Sequence, residues 1–223
     1  MQNNKAVTEK IENVIKALEN NNMRGIHAKK VSDIAGIVKD MLFPGCVITA
    51  GGSVSLSESG VTDVINSNEY NFLDRSKKGI SADEQQEIFR AAIGCDFFFC
   101  STNAITENGE LINVDGFCNR ISSIAFGPKK VIMVVGSNKI VKDLDEGLLR
   151  IKKVAAPKNC ARLGSDTPCA KLGHCVSLSK SDNPDITDGC ACDSRICCSY
   201  LISARQRIKD RITVILCDEP LGY

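Results

Sequence analysis

Residues 46–60 read CVITAGGSVSLSESG. The apolar run Cys46-Val47-Ile48-Thr49-Ala50 passes directly into Gly51-Gly52-Ser53, and a helix start follows near Ser55 to Glu58. A short apolar run closed by a glycine turn reads as a strand buried on both faces, the kind found in parallel sheets. The same rhythm recurs downstream. A helix is predicted from Ala82 to Ile93, opened by Ser81 and Glu84 as a capping box. Asp96 to Cys100 follows as a second buried strand, Val131 to Val135 as a third, closed by Gly136, and Ile212 to Leu216 as the last. Between them, Ile105-Thr106-Glu107 and Glu110-Leu111-Ile112 flank Asn108-Gly109, the strongest short hairpin signal. A long helix is expected over Val141 to Lys153. Buried strands alternating with helices predict an α/β fold with a mainly parallel central sheet flanked by helices.

Upstream, Val7, Ile11, Val14, Ile15 and Leu18 keep helical spacing until Asn20-Asn21-Asn22. Val31, Ile34, Ile37, Val38 and Met41 repeat it and stop at Pro44-Gly45. Residues 1–44 are therefore expected to form a helical segment packed on a core of residues 45–223. The start, MQNNKAVTEK, lacks the apolar centre of a signal peptide, so a cytoplasmic location is expected.

With 223 residues and 43% hydrophobic content the chain can bury a core, yet no apolar run approaches the ~18 residues of a membrane span. The formal net charge is +1, with acids and bases mixed along the chain. Trp is absent and Tyr rare. Nucleic acid, which calls for a basic face or stacking aromatics, is not an expected partner.

Three polar features stand at strand or turn ends. Gly51-Gly52-Ser53 lets a ligand approach the backbone, where N–H groups suit phosphate or carboxylate; a tight turn that binds nothing is the plainer reading. No Gly-Lys-Ser/Thr follows, so it is not a phosphate loop of that type. Glu107, at the hairpin rim, has the chemistry of a nucleophile or proton carrier, or of a solvated turn residue. Asp115, Asn119 and Arg120 add a carboxylate, an amide and a guanidinium fork, which also reads as a surface ion pair. Of the two histidines, His27 is expected in a connection between helices, and His174 adjoins Cys175.

Seven of the twelve cysteines fall between Cys160 and Cys198. In a reducing compartment such clustering points to metal binding or redox work rather than disulfides. The spacing, C-x5-C, then fourteen residues, then C-x-C-x4-CC, is neither that of a zinc ribbon nor that of a bacterial ferredoxin. Four thiolates suit zinc and an iron–sulfur cluster equally; reduced or redox-active thiols in a surface loop are the alternative. Cys46, Cys95, Cys100 and Cys217 lie in apolar strands and read as small core residues. Cys118 and Cys160 carry no assignment from spacing.

The block from Asn103 to Gly136, NAITENGELINVDGFCNRISSIAFGPKKVIMVVG, resembles the LUD domain of lactate-utilisation proteins. Gly51-Gly52-Ser53 with Glu58 resembles that family's glycine loop. Thr167-Pro168-Cys169, Cys175, Cys192-Asp193-Ser194-Arg195-Ile196-Cys197 and Glu219 to Tyr223 resemble a branch carrying a cysteine cluster. The resemblance implies a fold related to the ribose-5-phosphate isomerase and coenzyme A transferase group, and a link to lactate oxidation beside iron–sulfur oxidoreductase partners. It implies an anion held by Gly51, Gly52 and Ser53, with Glu58 in the same loop, and Thr102, Asn103, Glu107, Asp115, Asn119 and Arg120 facing the same cleft. Glu107-Asn108-Gly109 is similar to the sequence around the catalytic glutamate of coenzyme A transferases, which makes acyl transfer through Glu107 the alternative activity. A redox or electron-transfer subunit working through its cysteines is another.

Two departures from the family pattern matter. Cys118 stands where Asp-Gly-x-Gly-Asn-Arg has its second glycine, so a positive φ there would be strained. The cysteine cluster, an insertion over residues 160–198, is stretched by Ser177 to Gly189. The resemblance implies Cys169, Cys175, Cys192 and Cys197 as ligands of zinc or an iron–sulfur cluster, with Cys190 and Cys198 as alternates.

Overall fold

A computed structural model describes residues 2–223, with side chains from Lys5 onward. The chain builds ten strands: β1 (Arg24–Ala28), β2 (Val47–Ala50), β3 (Asn71–Leu73), β4 (Phe97–Cys100), β5 (Ala104–Thr106), β6 (Leu111–Asp115), β7 (Lys130–Gly136), β8 (Ile140–Val141), β9 (Ser199–Ser203) and β10 (Ile212–Cys217). Nine α-helices accompany them: α1 (Gln2–Asn20), α2 (Val31–Lys39), α3 (Val54–Glu58), α4 (Val61–Ile65), α5 (Ala82–Ala91), α6 (Asn119–Ala125), α7 (Leu144–Arg150), α8 (Ala156–Arg162) and α9 (Pro168–Leu172).

The main sheet has six strands in the order β1-β10-β7-β4-β2-β3, all parallel. Its apolar runs alternate faces along each strand, as the pleat demands. Val131, Met133, Val135, Val214 and Leu216 pack on one side with Ile11, Val14 and Leu18 of α1. Ile132, Val134, Phe97, Phe99 and Ile215 pack on the other with Ile34 and Val38 of α2. Covering both faces is what a parallel sheet requires, and it explains why its strands read as continuous apolar runs.

Strand order fixes where a ligand belongs. From β2 the chain steps outward to the edge strand β3, then returns to β4 on β2's other side and continues away through β7 and β10. Connections therefore diverge between β2 and β4, leaving a crevice outside their carboxyl ends. A second sheet, β8-β5-β6-β9, closes over that end; β5 and β6 form the Asn-Gly hairpin, antiparallel, with Gly109 at φ +78°.

Three expectations are corrected. His27 lies in β1, paired with β10, and not in a connection between helices. The strand is short and polar at its start, and Gly25 lets α1 press close: a Cβ there would stand 2.8 Å from the Ile15 side chain. The helix expected from Val141 starts later, because Ile140–Val141 pairs with β5 and Asp143 caps α7 through the Glu146 N–H at 3.0 Å. It also runs past Lys153, through a π turn at Ile151–Ala155 into α8, the wide turn falling just before Pro157, which has no N–H to continue the regular ladder. The capping box at Ser81 and Glu84 is present, and α5 ends at Ala91 in a short 3₁₀ turn.

No described helix is long and apolar enough to cross a membrane.

Candidate functional site

The chain leaving β2 (Gly52 to Ser55), the chain leaving β4 (Ser101 to Asn103) and the turn after β7 (Lys139) converge on a cleft of about 910 Å³. Arg75 after β3, the face of α5 with Gln85, Gln86 and Phe89, the loop after β6, the end of α8, the loop before β9 and Tyr223 complete its walls.

Arg120 organises this floor. Its Nε donates to Asp115 Oδ1 at 3.0 Å, Nη1 to Ser101 O at 3.0 Å and Asn113 Oδ1 at 2.6 Å, and Nη2 to Asn103 Oδ1 and Val114 O, both at 2.8 Å. All five guanidinium protons are thus spent inside the protein. Asp115 also accepts from the backbone N–H of Arg120 and Ile121, at 2.9 and 3.0 Å. Gly51 has to be small for this: a Cβ would stand 3.1 Å from Arg120 Cδ. Arg120, Asp115 and Asn103 are therefore positioning residues that lock three loops together.

Other cations remain uncompensated. Lys139, 3% exposed, donates to Ser55 Oγ at 2.9 Å and Ser101 Oγ at 3.0 Å and reaches no carboxylate. Burial, reinforced by the charges of Arg150 and Arg120 and opposed by Glu58, pulls its ammonium down to about 7. Arg150 itself, on α7, is drawn down to about 10 by burial. Arg75 and Arg162 converge on Gly52: a Cβ there would lie 2.5 Å from one Nη2 and 4.0 Å from the other. Burial and Arg162's charge lower Arg75's affinity for its proton, and among the described residues its guanidinium has no ion pair; it stacks 5.8 Å over Phe89. Arg162 is held by Tyr223 Oη and Asn159 Oδ1, both at 2.7 Å. Of the carboxylates on the walls, Asp115 pairs with Arg120 and Asp166 with Lys171, leaving Asp193 unpaired. The balance is cationic, and its free part is the trio Arg75, Arg162 and Lys139.

Of the residues named from sequence, Gly52, Ser53, Thr102, Asn103, Asp115, Asn119 and Arg120 line this cleft. Thr102 is spent on the carbonyls of Ala104 and Ile112 at 2.8 and 2.9 Å. Gly51 supports the floor from behind, and Glu58 accepts from the Gly222 N–H at 2.6 Å, ordering the C-terminal strap. Glu107 is not among the cleft residues. It lies on the outer side of the hairpin, paired with Lys10 of α1 at 2.9 Å, both half exposed. Sequence reading missed Arg75, Lys139 and Arg162. For Lys139 a signal existed: it follows Gly136 at the carboxyl end of the most apolar strand.

Cys118 has φ +61°, the left-handed conformation its glycine-like position implied. Its Sγ donates to Ser199 Oγ at 3.1 Å.

The cysteine segment forms a second, smaller site. Cys169, Cys175, Cys190 and Cys197 border one cavity of about 20 Å³, with Tyr200 and Asp188, room for roughly a single atom-sized guest. Cys190, the alternate to Cys192, borders the cavity, and Cys192 lies alongside, its sulfur 3.2 Å from that of Cys190. Cys198 lies apart on the cleft wall, and His174 turns its ring to the Leu172 carbonyl. Arg195 staples the loop, donating to the carbonyls of Cys197, Cys190 and Thr187 at 3.0, 3.0 and 2.8 Å. All twelve cysteines are free, and among the described residues no three ligand side chains stand in ready metal-binding geometry. The donor set nevertheless fits a soft metal, since four thiols border one small cavity. Asp193, Ser194, Arg195 and Cys198 of the same loop wall the large cleft, so the two sites share a partition.

A family model described as the LUD domain matches residues 11–217. Among solved structures, the chain is similar to a DUF162 family protein from Deinococcus radiodurans, at 12% identity over 96% of this chain and 97% of that one, with a TM-score of 0.49. It is also similar to eIF2B beta from Chaetomium thermophilum, at 14% identity over 54% of this chain and 42% of that one, with a TM-score of 0.37. No curated protein matches it.

Proposed function

The chain belongs to the LUD domain family, which is linked to lactate utilisation, and from that premise we propose that its large cleft binds an anionic metabolite in support of lactate or related hydroxy-acid oxidation. The observation that carries the reading is the trio Arg75, Arg162 and Lys139. Arg75 and Arg162, side by side with no ion-paired carboxylate, repel one another, and an anion between them relieves both that repulsion and their lost hydration, while Lys139 lines the same cleft from its floor. The oxidation itself would fall to iron–sulfur oxidoreductase partners. Calorimetric titration at low salt with lactate, pyruvate and inorganic phosphate tests the reading. Binding that weakens as salt is raised is expected; no heat from any anion would refute it.

Cys169, Cys175, Cys190 and Cys197 would hold a single zinc ion in their small cavity, or an iron–sulfur cluster if the loop opens around it. When bound, such a group supplies either a structural cross-link or an electron-transfer centre. Because the partition from Asp193 to Cys198 borders both sites, ligation at Cys190 and Cys197 would also stiffen one wall of the cleft. Protein purified anaerobically is expected to carry metal, to lose it in Cys190→Ser and to keep it in Cys192→Ser. Metal content unchanged in Cys190→Ser but lost in Cys192→Ser would reverse the assignment.

A further inference from the structure

The cleft is much larger than a hydroxy acid requires. At about 910 Å³ it reaches the upper range of sites for drug-sized ligands, and a guest of lactate's size would leave most of it to water. Its chemistry is also divided. Arg75 and Arg162 bring two guanidinium ends to the space beside Gly52, and two such groups offer more donors than one carboxylate has oxygens to pair with, which suits the several oxygens of a phosphoryl group. Lys139 adds a third donor from the floor, between Ser55 and Ser101.

The opposite character appears on the loop after β6. Phe117 lines the same cleft and is 86% exposed, the most exposed large apolar side chain among the described residues. Its neighbour Cys118 holds the left-handed φ of +61° that turns this loop. A non-glycine residue kept in that region stores strain, which persists where surroundings enforce a functional shape. The loop thus presents a bare aromatic face beside a phosphate-type subsite.

We propose that the cleft takes a phosphorylated ligand that also carries an aromatic ring, the chemistry of a nucleotide, with phosphates between Arg75, Arg162 and Lys139 and the ring on Phe117. The inference rests on the reading of the cleft as an anion site and deepens it by naming the ligand class. Phosphates among these cations form charge-assisted hydrogen bonds, and the ring gains stacking and covers Phe117.

Isothermal titration of the full chain at low salt with ADP, inorganic pyrophosphate and lactate separates the two levels. ADP is expected to bind most tightly, pyrophosphate about tenfold more weakly and lactate more weakly still. Phe117→Ala, a change at an exposed site that leaves the fold intact, is expected to weaken ADP about tenfold and leave pyrophosphate unchanged. Arg75→Gln is expected to weaken both by about ten- to a hundredfold. Lactate binding without ADP or pyrophosphate binding would overturn the inference and leave the anion reading standing. Binding of none of the three would remove both. Pyrophosphate bound as tightly as ADP, with Phe117→Ala silent, would overturn the aromatic half.

Discussion

Replacing Arg120 with methionine is expected to lower the unfolding midpoint by about 10 °C. The side chains of Arg120 and Asp115 are 13% and 10% exposed, so the carboxylate left behind stays buried with only two backbone N–H partners. The oxygens of Ser101 and Val114 and the amide oxygens of Asn113 and Asn103 each lose a donor as well. Breaking a buried pair from one side costs roughly 3–5 kcal/mol, and in a chain of this size each kcal/mol moves the midpoint by about 2–4 °C. Scanning calorimetry checks this. A fall no larger than that of the exposed Arg90→Met would mean that Arg120 does not lock the loops.

Lys139→Met should act in the opposite direction on stability while removing anion binding. With its ammonium pulled from 10.5 to about 7, Lys139 binds protons more weakly folded than unfolded. That penalty is fully present below pH 7, shrinks as pH rises above 7, and is gone above about 10.5. At pH 6 it amounts to about 5 kcal/mol at most, offset in the variant by about 1 kcal/mol for each serine hydroxyl left without its donor. The net is a gain of at most about 3 kcal/mol, or about 6–12 °C in midpoint, dwindling toward pH 10. In the unmodified protein the same linkage makes anion binding take up a proton, so affinity should fall as pH rises through about 7. The groups facing Lys139 that shape this titration are Arg150, Arg120, Glu58 and Cys100. A variant that is destabilised at pH 6, or that binds anions undiminished, would show that Lys139 is a structural residue only.

These residues also mark where sequence reading succeeds and stops. The four inner strands of the main sheet were legible because burial on both faces writes an unbroken apolar run, as in Val131 to Val135, whereas the three-residue edge strand β3, Asn71-Phe72-Leu73, is too short to write one. β1 was not, because Arg24-Gly25-Ile26-His27-Ala28 becomes a strand only by pairing with β10 and yielding room to α1. The glycine turn and the Asp115-to-Arg120 loop were legible as polar groups at strand ends. What they do was less so: Arg120 reads as a ligand fork until its five donors are seen to be taken. Arg75 sits in the run Asp74-Arg75-Ser76-Lys77-Lys78, which reads as ordinary solvated chain, and Arg162 lies on a helix eighty-odd positions away. Only the fold brings them to Gly52. In the same way, spacing alone could not separate Cys190 from Cys192, two residues apart in one loop.

The central claim is that uncompensated cations at the switch point between β2 and β4 form an anion site. Crystals soaked in tungstate, a heavy tetrahedral anion, test it directly by anomalous scattering. The expected result is one dominant peak within hydrogen-bonding distance of Arg75 and Arg162, facing Gly52 and Lys139. Tungstate bound only at surface lysines, with the cleft empty, would contradict it.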